Sequence, residues 1–189
     1  MSDTTQIATL EKLRNAWLPA VEFLFGTPAA GITFAGYKVD GDLAKPETLL
    51  DETTNTVKTR IPARSFTNDV MLLADVIQEM VRALYPLKEG AMPNNLSEGA
   101  AVYGAITAIK QVFGEETLDS YLNALKDNGF AYYDAFSYVA VLLTEDPQGI
   151  KKVRTLKPYL YEVEREDFAA AGIELERKIC DILTYKFRN

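Results

Sequence analysis

Apolar residues recur every three to four positions through most of this 189-residue chain, and proline or glycine interrupts the pattern at intervals. That period places apolar side chains on one face of a helix, and Pro or Gly then ends it. Residues 4–25 follow the period at Ile7, Leu10, Leu13, Trp17, Val21 and Leu24. Ser2, Asp3 and Thr4 are available as caps, and Pro19 is expected to kink or break the segment. From Ser65 onward the reading is almost wholly helical. The pattern predicts a helix over about 68–85, capped by Asn68 or Thr67 and stopped by Pro86. It predicts further helices over 96–113, ended by Gly114, over 115–128, ended by Gly129, and over 130–145. A short helix starts at Asp146-Pro147, and a final one covers roughly Glu162–Phe187.

Two segments in the first third carry a different period. Ile32–Val39 alternates and ends at the turn-forming Asp40-Gly41. Thr56–Ile61 alternates, is β-branched, and lies between Thr54-Asn55 and Pro62. The two are expected to form a small antiparallel β element. The fold class is therefore mainly α (α+β), as one domain over 1–189. Residues 1–64 hold the N-terminal helix and the β element, and 65–189 form the helical core. No internal repeat, low-complexity run or long linker divides the chain.

Composition narrows the chemistry. The chain has no histidine and one cysteine, which excludes a Ser-His-Asp triad, a Cys-His pair, a His-ligated zinc and an internal disulfide. Cys180 reads as a small core residue on the last helix. The net charge is −7, and residues 1–150 carry 11 basic against 20 acidic side chains. An acidic body disfavours phosphate contacts, so nucleic acid is not an expected partner. No stretch reaches the roughly 20 apolar residues of a membrane span. The most apolar region, around Val70–Leu84, is broken by Asp75, Gln78, Glu79 and Arg82. The first residues lack the basic and apolar regions of a secretory signal, so a soluble cytoplasmic protein without cofactor is expected. Oligomeric state is not encoded in any recognisable pattern.

The informative constellation spans two predicted helices. On the first, Gln78 and Arg82 are four residues apart and share a face, with Glu79 beside it, four after Asp75 and three before Arg82. On the next, Leu96-Ser-Glu-Gly-Ala-Ala-Val-Tyr103 places Glu98 sixteen residues after Arg82. This arrangement, following the strand at Thr56–Ile61, resembles zinc metallopeptidases of the gluzincin type. Their metal helix carries His-Glu-x-x-His, and a following helix supplies a glutamate in a Ser/Asn-Glu-Gly-x-Ala-x-Tyr type of pattern. The resemblance covers about residues 50–145 and implies a zincin-like scaffold. Glu79 matches its general base, Glu98 its third metal ligand, and Tyr103 follows its pattern.

Gln78 and Arg82 stand where that family has its two histidines. A permanent cation repels a metal ion, and a base without a metal-bound water has nothing activated to deprotonate. The resemblance thus implies a pseudo-metallopeptidase with no metal and no hydrolysis by that route. A salt bridge from Arg82 to Glu98, completed by Glu79 or Gln78, is expected in the metal's place. The implied role is binding of a peptide or protein in a remnant cleft lined by Gln78, Glu79, Arg82, Glu98 and Tyr103. Two other readings stand beside it. One is an enzyme: a hydrolase using Glu79 and Glu98 as catalytic carboxylates, or a non-His metal site built from Asp75, Glu79 and Glu98. The other is a plain helical interaction module, in which Asp75, Glu79 and Arg82 are an exposed charged face. Its contacts would come from the aromatic cluster Tyr132, Tyr133, Phe136 and Tyr138, extended by Tyr159 and Tyr161.

Overall fold

A computed structural model describes residues 3–189. Among them the chain forms eight α-helices and one three-stranded sheet, so the mainly α reading with a small β element holds. Helix α1 (Asp3–Phe25) runs through Pro19 without a break. The lost amide donor is outweighed by a face that buries Leu10, Val21 and Phe25 on either side of the proline.

The sheet corrects one expectation. Strands β1 (Thr33–Asp40) and β3 (Thr56–Pro62) are neighbours, but they pair parallel, with Tyr37 opposite Thr59. The antiparallel partner of β3 is a strand between them in sequence, β2 (Glu47–Asp51), so the order is β1-β3-β2. A tight turn explains the hairpin. The Asp51 carboxylate accepts from the amides of Thr53 (2.9 Å) and Thr54 (3.3 Å), and Asn55 takes a positive φ of 53°. With β2 on one side of β3, β1 is left the other side, and its direction follows. Val57, Thr59 and Ile61 of β3 are buried beneath the helices, while Lys58 faces outward.

Helices α2 (Asp69–Leu84) and α3 (Asn95–Phe113) form the centre of the molecule. α1 packs on α2, while α4 (Glu115–Asn128) and α5 (Phe130–Glu145) pack on α3. Gly99 sets the α3–α5 approach: a Cβ there would collide with the Ala135 carbonyl and lie 2.7 Å from Val139 Cγ2. After α6 (Gly149–Leu156), Arg154 is buried and caps two helix ends. Its Nη1 donates to Phe25 O of α1 (2.6 Å) and its Nη2 to Leu84 O of α2 (3.0 Å).

The final segment is not one helix. It divides into a 3₁₀ turn at Leu160–Glu162, α7 (Arg165–Ala170) and α8 (Arg177–Thr184). Gly172, at φ 76°, ends α7, and the Ile173 amide reaches back to Phe168 O. Ile173 is buried from an irregular segment, so a helical period there described a core contact and not a helix. Cys180 is buried, as expected of a core residue. No helix among the described residues is long and apolar enough to cross a membrane.

Candidate functional site

Two well-capped helices present the site. Asn68 caps α2 through its side-chain oxygen, which accepts from the Met71 amide. Asn94 and Ser97 form a reciprocal capping box at the start of α3, which fixes Glu98 in the first turn. On α2, Val76, Ile77, Met80, Val81 and Leu84 face the core, and Asp75, Gln78, Glu79 and Arg82 line a cavity of about 410 Å³ between β2, α2, α3 and α5.

Arg82 is the centre of that cavity. Its Nη2 donates to Glu98 Oε2 at 2.7 Å and its Nε to Glu98 Oε1 at 3.4 Å, a two-pronged contact between two helices through residues sixteen apart in sequence. Its Nη1 donates to Glu79 Oε1. The other Glu79 oxygen accepts from Thr48 Oγ1 at 2.6 Å, and Thr48 meets Thr59 Oγ1 at 3.3 Å. One hydrogen-bonded row therefore joins the sheet, α2 and α3.

Burial governs the electrostatics. Glu79 is 1% exposed. Its desolvation pushes the carboxyl pKa up, against the pull of Arg82 and Thr48. Burial alone would lower the Arg82 pKa, but Glu79 and Glu98 together hold it above the ordinary arginine value. Of the expected exposed face of Asp75, Glu79 and Arg82, Glu79 is buried and the other two are half-buried, so the three do not form an exposed charged face. Both Glu79 oxygens and both Glu98 oxygens have hydrogen-bond partners.

The remaining expected residues are placed differently. Gln78 lines the cavity but stays out of the ion-pair row; its Nε2 donates to Tyr121 of α4 at 3.2 Å, and burial pushes the Tyr121 phenol up to about 12. Asp75 accepts from Ser65 Oγ at 2.6 Å, and burial pushes its carboxyl pKa up. Among the described residues no three His, Cys, Asp or Glu side chains are grouped to hold a metal ion, so the Asp75–Glu79–Glu98 metal set is not assembled. Tyr103 lies outside the cavity lining and packs against Phe136, ring centroids 6.2 Å apart.

The aromatic cluster of α5 splits. Tyr132 enters the cavity wall and packs on Phe187 at 4.7 Å. Tyr133 sits between Phe130 and Phe136, and Tyr138 packs on the core. Tyr161 donates to Pro86 O at 3.1 Å and lies against Tyr159. Phe187 reaches the cavity because its amide donates to Pro93 O, while the Asn95 amide donates to Tyr185 O. Thr48, Lys45, Arg64 and Phe187 also line the cavity, and none was a candidate site residue on sequence grounds, whereas Tyr132 was a candidate only as part of the aromatic contact surface. Of these four, Thr48 has a signal to find it by, since it faces Thr59 once β2 is recognised as a strand.

No protein-family model, curated protein or solved structure matches the chain.

Proposed function

We propose that the chain is a zincin-like protein without a metal centre, which holds an extended peptide in the cleft between β2, α2 and α3 and does not cleave it. One observation carries this reading: Arg82 bridges Glu79 and Glu98. In the family the chain resembles, a metal joins the helix to the glutamate of the next one. Here a guanidinium makes the same connection, and its fixed positive charge takes the place that an activating ion would need. The scaffold keeps its cleft while the chemistry is removed.

Two further features support peptide as the ligand. β2 is an edge strand, paired on one side only by β3, and an extended peptide adds to such an edge through its main chain. The cavity beside it combines apolar walls from Leu87, Pro93, Val102 and Leu125 with charged and polar side chains that include Lys45, Glu79, Arg82 and Glu98.

The test is binding and cleavage of a random hexapeptide pool, read by retention on the immobilised protein and by mass spectrometry of the eluted peptides. Leu87→Trp fills the cavity from a residue that is 41% exposed, so it leaves the core intact. Expected is retention by the wild type, loss of retention in Leu87→Trp, and intact peptides throughout. Cleavage by the wild type that vanishes in Glu79→Gln would establish the carboxylate hydrolase instead.

A further inference from the structure

The loop between β1 and β2, residues 41–46, is held in place by an arginine from beyond the sheet. Arg64 Nε and Nη2 donate to Ala44 O at 3.2 and 2.5 Å. This grip puts the next residue, Lys45, on the cavity wall. Its Nζ lies 5.9 Å from the centre of the Tyr132 ring, which belongs to the opposite wall.

The charges lining the cavity divide by position. At the floor, two carboxylates share one guanidinium, so the local balance is negative and a ligand anion is unwelcome there. The other acidic groups are engaged: Glu47 with Arg60, and Asp75 with Ser65. At the rim, Lys45 and Arg64 form no ion pair with any carboxylate among the described residues, although Arg64 acts on Asp75 at longer range. Lys45 is exposed and adjoins β2 in sequence, next to the edge where a peptide main chain would lie. Across the cavity, Tyr132 and Phe187 form an aromatic surface with Leu125 nearby.

We infer that the cleft selects peptides with an acidic side chain that pairs with Lys45, next to an apolar or aromatic residue that packs on Tyr132 and Phe187. This rests on the peptide-binding reading above and adds the ligand's chemistry to it. Lys45 is the selecting residue. Its ammonium exchanges a weak contact with the face of Tyr132 for a carboxylate, while Arg64 holds the loop and adds field at the same rim.

The experiment is a selection of displayed random hexapeptides on the immobilised 189-residue chain, run in parallel on the wild type, Lys45→Glu and Leu87→Trp. Expected is enrichment, on the wild type, of Asp or Glu beside Phe, Tyr or Leu. The best of these peptides, made synthetically, should bind Lys45→Glu roughly fivefold more weakly or worse. Their affinity should also fall with added salt. Enrichment without an acidic position, or an acidic preference unchanged in Lys45→Glu, overturns the charge selection and leaves peptide binding standing. No enrichment on the wild type beyond that on Leu87→Trp overturns the cleft reading itself, and this inference with it.

Discussion

Arg82 is the side chain on which most of the site's stability turns. Glu79 is almost wholly buried, and removing its cation leaves a buried charge with the Thr48 hydroxyl as its remaining side-chain partner. Arg82→Met should cost about 3–5 kcal/mol, the usual penalty for an orphaned buried charge. Neutralising the two carboxylates as well, in Arg82→Met/Glu79→Gln/Glu98→Gln, should restore most of that loss; urea denaturation of the two variants checks it. Asp75 gives a prediction in pH. Burial raises its carboxyl above its value in the unfolded chain. A group raised in this way favours folding most below the unfolded value, about 4, and loses that contribution as pH rises through the folded one. Asp75→Asn, whose amide oxygen still accepts from Ser65, should therefore be more stable than the wild type at pH 7. That advantage should shrink as the buffer is acidified towards pH 4. The Tyr37 hydroxyl offers the opposite case. It is buried without a hydrogen-bond partner, so Tyr37→Phe removes an unsatisfied group and should be neutral or stabilising in thermal melts.

At the scale of elements, Gly99 decides how close α5 comes to α3. Gly99→Ala forces the Ala135 carbonyl and Val139 away, and overpacking of this kind costs about 1–3 kcal/mol. Since Tyr132 rides on α5, the same shift should widen the cavity, and peptide affinity should fall along with the melting temperature. The ends of α2, α3 and α4 could be read from local signals alone, namely Asn68, Pro86, Gly114 and Gly129. The Arg82–Glu98 bridge was expected from the resemblance to the gluzincin pattern, in which a metal links the two helices; helical spacing by itself relates only side chains of one helix, here Asp75, Gln78, Glu79 and Arg82. What could not be read depends on distant neighbours. The strand Glu47-Thr-Leu-Leu-Asp51 has neither clear alternation nor rich β-branching, and it exists because β3 folds back onto it. Missing it made the sheet antiparallel. Tyr103 was misplaced for a geometric reason: five residues past Glu98 is about 140° around a helix of 3.6 residues per turn, which turns it to Phe136 and away from Arg82.

For the molecule as a whole, the question is whether the three helical positions still describe a ligand set. Gln78, Arg82 and Glu98 line one cavity, and Arg82 meets Glu98 directly, so on the zincin-like reading Gln78→His/Arg82→His should supply two imidazoles and one carboxylate to a single ion. Elemental analysis after zinc loading and desalting should find about one zinc per chain in this double variant and far less in Glu98→Gln added to it. Zinc bound no better than by the wild type would count against the zincin-like reading, while leaving open a cleft that binds peptide on another scaffold. Such an assay depends on how the protein is purified. Phe187 forms part of the cavity wall, two residues before Asn189. A polyhistidine handle joined after Asn189 would hang at the mouth of the cleft, bringing to it the imidazoles that the chain itself lacks. α1 contributes no side chain to the cavity, so a handle placed ahead of it, or cut off before the measurement, keeps borrowed ligands out of the zinc count.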